Sequence, residues 1–127
     1  MNPIIYDHFN AIEAWLLQSP VVILYKIISK EVAPTDGKFR VKVNFVNESM
    51  AELFEYVTVS GTDLNLSKYS FHWQDKHGTL KCRWDNAPHH PELPHAPHHK
   101  HQADQSVIPV TKIQNIFDVL VEIEKTL

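Results

Sequence analysis

From Phe39 to Phe45 the chain alternates strictly: Phe39, Val41, Val43 and Phe45 are apolar, and Arg40, Lys42 and Asn44 between them are polar. A period of two marks a strand with one face buried and the other in water. Such a strand needs a layer over its apolar side and leaves its polar side available for other work. Two segments can supply that layer. Ile5, Phe9, Ile12 and Leu16 recur at helical spacing between Asn2-Pro3 and Ser19-Pro20, which predicts a helix over 3–18. Near the other end, Thr111-Lys112-Ile113-Gln114 matches a capping box, and Ile113, Ile116, Phe117, Leu120, Ile123 and Leu127 form a second apolar stripe.

Between these helices the chain predicts five strands, at 21–31, 39–45, 52–60, 69–74 and 79–84. Turn signals separate them at Pro34–Gly37, Asn47–Met50, Gly61 and Asp75–Gly78. Short connections favour an antiparallel meander, and each helix has only one stripe to hide, so both belong on one face. The expected fold is a single α+β domain spanning 1–127, with a His/Pro-rich loop at 85–109. A length of 127 residues with 43% hydrophobic content suits one core. Cys82 is the only cysteine, which excludes an intrachain disulfide and a cysteine-based zinc site. The first residues lack a basic region, and no run approaches the ~18–20 apolar residues of a membrane span. A cytoplasmic protein is the expectation.

The uncovered sheet face should carry Lys26, Lys30, Arg40, Lys42, His72, Gln74, Lys81 and Arg83, a basic surface on a chain of net charge −3. Lysine and arginine are ordinary on a solvated sheet face. Edged by aromatic rings, the same surface suits single-stranded RNA, whose phosphates take the cations. Glu55 interrupts an apolar strand. It reads most simply as a cross-strand partner of Arg40 or Lys42, and otherwise as a carboxylate base beside His72.

Six of the nine histidines fall between His89 and His101, among prolines and just after Trp84-Asp85-Asn86. Three readings compete. As an active loop, two imidazoles and an arginine can cleave RNA without metal, as base, acid and phosphate clamp. His72, His89, His90, His98, His99 and His101 are the candidates for proton transfer, with Asp85 or Glu55 orienting a ring. Arg83 and Lys100 are the candidate phosphate holders. Trp84 either stacks on a base or pins the loop. As a metal site, the His89-His90 and His98-His99 pairs and His99-x-His101 offer imidazoles beside Asp85 or Glu92, though the spacing matches no zinc signature closely. As a plain surface loop, the segment would be stiffened by its prolines and have no chemistry.

Tyr69-x-x-His72-Trp73-Gln74, Arg83-Trp84-Asp85-Asn86-Ala87-Pro88-His89-His90 and Pro97-His98-His99-Lys100-His101 together resemble the TumE-type family of toxins from toxin–antitoxin pairs. The resemblance extends more loosely over 40–56, where Glu55 matches an acidic position. It implies a growth-inhibiting activity aimed at RNA or translation, and a helix-turn-helix antitoxin as partner. It carries over Glu55, Tyr69, His72, Gln74, Arg83, Trp84, Asp85, Asn86, His89, His90, His98, His99 and His101. Joined to the basic face, it gives the leading expectation, a metal-independent endoribonuclease with no cofactor. The rivals are a non-catalytic RNA- or nucleotide-binding module and a metal-dependent phosphodiesterase using the histidines. Strand edges at Val21–Glu31 or Thr79–Trp84 could also pair two copies into a homodimer.

Overall fold

A computed structural model describes residues 2–88, 92–93, 96–110 and 115–127. Helix α1 spans Pro3–Gln18, with the Asn2 side chain accepting from the amides of Ile4 and Ile5. Seven strands follow: β1 (Val22–Val32), β2 (Asp36–Phe45), β3 (Met50–Ser60), β4 (Asp63–Gln74), β5 (Leu80–Asp85), β6 (His99–Gln102) and β7 (Val107–Pro109). Helix α2, Ile116–Lys125, closes the chain. The strands form one antiparallel sheet in sequence order, a meander as the short turns require. No helix among the described residues is long and apolar enough to cross a membrane.

The α+β architecture agrees with expectation, but the sheet has seven strands where five are predicted. The two extra strands lie inside the stretch 85–109 expected as loop. His99–Gln102 has no β-branched residue and no Phe, Tyr or Trp, so nothing local marks it. It becomes a strand by pairing with β5, Asp85 opposite His99 and Arg83 opposite His101. That pairing also covers the β5 edge offered for dimerisation, whereas β1 remains an outer strand. Strand β4 begins at Asp63, six residues before its predicted start.

Both helices cover one face. Ile5, Phe9, Ile12 and Leu16 of α1 and Ile116, Val119, Leu120 and Ile123 of α2 are buried in one cluster with Phe39, Val41, Val43, Phe45, Leu53, Phe71 and Trp84. Thr111–Gln114, the expected capping box, lies outside the described residues. The described helix is capped by Asn115, whose side chain accepts from the Asp118 amide while Asp118 accepts from the Asn115 amide.

Gly37 sits where α1 crosses the sheet. A methyl group there would lie 2.6 Å from Ile5 Cγ2 and 2.8 Å from the Glu31 carbonyl oxygen. Gly37→Ala should therefore destabilise the protein by about 1–3 kcal/mol, the range for overpacking, read from the urea midpoint. An unchanged midpoint would mean that α1 can ride outward at no cost.

Candidate functional site

Register places side chains on faces. On the uncovered side one transverse row runs Lys26, Lys42, Glu52, His72, Arg83, His101 across six neighbouring strands. The next row runs Arg40, Phe54, Ser70, Asp85, His99. Residues from β4, β5 and β6 thus meet on the open face, with His99 and His101 brought there by β6, a strand that the sequence does not announce.

At the centre is Asp85, only 7% exposed. Its Oδ1 accepts from the Ala87 amide at 3.1 Å, and its Oδ2 accepts from Arg83 Nε at 3.3 Å. His99 is 1% exposed, with Nε2 2.9 Å from Asp85 Oδ1. Its Nδ1–H donates to the Pro97 carbonyl at 2.8 Å. His101 brings Nε2 to 3.1 Å from His99 Nε2 and 3.6 Å from Asp85 Oδ2, the two rings meeting edge to face. One strand away, His72 gives its Nε2–H to Gln74 Oε1 at 3.0 Å, which leaves Nδ1 as the acceptor nitrogen. His72, Gln74 and Arg83 line a shallow concavity of about 540 Å³ together with Arg40, Glu52, Lys68 and Ser70.

Other predicted residues are placed elsewhere. Glu55 is fully buried on the helix-covered face, opposite in parity to Glu52, and does not lie beside His72. Its Oε1 accepts from His8 Nε2 at 2.7 Å and its Oε2 from the Ile116 amide at 3.1 Å. Arg40 pairs with Glu52 at 3.0 Å instead, its guanidinium over the Phe54 ring. Tyr69 also points to the covered side, where it is buried, stacks on His98 and shares a 3.1 Å hydrogen bond with His98 Nδ1. Asn86 accepts from the Tyr69 amide and donates to the Ser67 carbonyl, tying β4 to the chain leaving β5. Trp84 is buried beneath Lys100, whose ammonium lies 5.1 Å from the ring centroid and 2.9 Å from Glu122 of α2. Trp84 therefore anchors, and Lys100 serves the α2 side of the sheet, away from Arg83. Lys42 is exposed on the open face. His89 and His90 lie outside the described residues.

Bulges account for two more reversals. Irregular register at Ile28 puts Lys30 opposite Phe39, on the helix side, where it binds Asn10 and Glu13. A second irregularity, between Trp73 and Gln74, sets Lys81 over the Trp73 ring. The open face is therefore less basic than the alternation suggests, and it also carries an acid, Glu52. Glu52 and Ser70 each stand one residue from a buried neighbour, Leu53 and Phe71, so alternation puts both on the open face; the sequence reading passes over both.

Cys82 is 6% exposed behind this site, and burial pushes its thiol up to about 11. It should resist a thiol reagent in the native protein and react at once in denaturant. Fast native labelling would show that β5 opens.

No curated protein and no solved structure matches the chain. Residues 12–127 match the family model described as Toxin TumE, nearly the whole chain and every element from the middle of α1 to α2. A toxin of this kind implies an antitoxin partner, and on that match the chain belongs to the TumE toxin family.

Proposed function

We propose that this toxin cleaves RNA on the open face of its sheet by metal-free acid–base chemistry. The observation that carries the reading is the row His72–Arg83–His101, in which two imidazoles flank a half-exposed guanidinium across three adjacent strands. Neighbouring strands lie about 4.8 Å apart, so the outer two positions are separated by roughly 10 Å. A phosphodiester resting on Arg83 comes within reach of both rings.

In this reading each residue of the row has one role. Arg83 takes two phosphate oxygens in its planar fork and stabilises the negative charge that grows on them. His72, through Nδ1, removes the proton from the ribose 2′-hydroxyl, whose oxygen attacks phosphorus. His101 gives a proton to the departing 5′-oxygen, so the products are a 2′,3′-cyclic phosphate and a free 5′-hydroxyl. Buried Asp85, beside both His99 and His101, supplies the negative charge that holds a protonated imidazole in place. Lys42 and Arg40 extend the cationic track for neighbouring phosphates. The partner in this reading is a helix-turn-helix antitoxin, and the cytoplasm is where the RNA is met.

Purified protein incubated with RNA, with and without chelator, tests the proposal. Cleavage that survives chelator and leaves cyclic-phosphate ends supports it. Cleavage lost to chelator would reassign the site to a metal-dependent phosphodiesterase, and RNA that is shifted but intact would reassign it to a binding module.

A further inference from the structure

We infer that Asp85, His99 and His101 form a binding site for one divalent transition-metal ion of the zinc type. One ligand atom from each residue can be chosen so that all lie within 4.8 Å of one another. The shortest approaches are closer still, 2.9 Å from His99 Nε2 to Asp85 Oδ1, 3.1 Å between the two Nε2 atoms, and 3.6 Å from His101 Nε2 to Asp85 Oδ2. Nitrogen and oxygen ligands about 2.0–2.1 Å from a tetrahedral zinc ion stand about 3.3 Å apart, close to the two separations that meet at His99 Nε2.

Hydrogen bonding points the same way. A backbone carbonyl can only accept, so His99 must carry its proton on Nδ1 toward Pro97. In the neutral ring, Nε2 then presents a lone pair, and the groups facing it are a carboxylate oxygen and another imidazole nitrogen. With the His101 proton on Nδ1, three electron-rich atoms converge on one point that a metal ion can fill; with it on Nε2, that proton is shared with His99 instead. Imidazole anchored to a carbonyl through its far nitrogen is the usual support of a metal-binding histidine. The Ala87 amide and Arg83 Nε fix the carboxylate in the same manner. Two buried ligands give rigidity, and the His101 side chain, 30% exposed, gives an ion its way in.

The inference stands on this geometry and not on RNA cleavage, but it has a consequence for that reading. An ion bound to Nε2 of His101 removes it from proton transfer, so the ion-free protein is the cleaving form.

Titrating the full chain with Co²⁺, and with Zn²⁺ in competition, tests the site without any RNA. One equivalent should bind with a four-coordinate cobalt spectrum, and Zn²⁺ should displace it. His101→Ala, chosen because that side chain is partly exposed, should weaken binding by more than about 100-fold, beyond what supporting residues contribute. Asp85→Asn should weaken it as well, while His77→Ala, in the β4–β5 turn, should bind like the parent. Zn²⁺ should also raise the melting temperature of the parent and leave that of His101→Ala unchanged, which separates lost binding from lost folding. The inference fails if the parent binds no cobalt, which would leave a proton as the shared cation, or if His101→Ala binds as tightly as the parent. Either failure leaves metal-free cleavage standing, and absence of cleavage leaves the metal site standing.

Discussion

Arg83→Ala should cut RNA cleavage by about 10²–10³-fold, the usual loss when a donor to a developing oxyanion is removed, and should relieve growth arrest. The fold should hardly notice. Arg83 is half-exposed and its link to Asp85 is a 3.3 Å contact, so the stability read from the urea midpoint should change by no more than about 0.5 kcal/mol. Arg83→Lys keeps the charge but loses the planar fork, and should recover only part of the rate. His72→Ala should lose about 10²–10⁴-fold, because an acid–base partner is gone. The double variant should fall little further than the worse single one, since the two act on the same transition state. If the toxin binds RNA without cutting it, Arg83→Ala should instead weaken binding and lower the salt slope by about one. Near-parental cleavage by Arg83→Ala would remove the row from the mechanism altogether.

How much of this was legible depends on whether the signal was local. Helix α1 was readable from Asn2-Pro3 and the stripe Ile5, Phe9, Ile12 and Leu16, because cap and periodicity are written within one segment. The faces of β2 followed from alternation for the same reason. Strands β6 and β7 were not readable. His99–Gln102 is extended only because β5 offers it hydrogen bonds, and that pairing is what assembles the Asp85, His99 and His101 cluster. The bulges at Ile28 and Lys81 leave no mark in composition, yet each turns a lysine from the open face to the covered one. Composition marks the histidine segment but does not tell its members apart. The sheet separates neighbours by parity, sending His99 to the open face with Asp85 and His98 to Tyr69.

Glu55→Ala should destabilise the protein by about 3–5 kcal/mol, because it breaks a buried ion-pair contact from one side. Parity with Leu53 and Val57 forces this carboxylate under the helices, where it is fully buried. It persists there because both oxygens are used: His8 of α1 donates to one, and the Ile116 amide, among the orphan N–H groups opening α2, donates to the other. One side chain of β3 thus ties the first helix to the last. Removing it strands the Ile116 donor and opens a cavity beneath two helices. Glu55→Gln retains an acceptor but not the charge and should cost less, on the order of one charge-assisted hydrogen bond, about 1.5–3 kcal/mol. His8→Ala should be milder still, since that ring is partly exposed. In a double-mutant cycle the His8 and Glu55 changes should be clearly sub-additive. Because Glu55 lies across the sheet from Arg83, the folded fraction of Glu55→Gln should cleave RNA at the parental rate. A stable Glu55→Gln protein with no activity would put this carboxylate back into the chemistry and take it out of the scaffold.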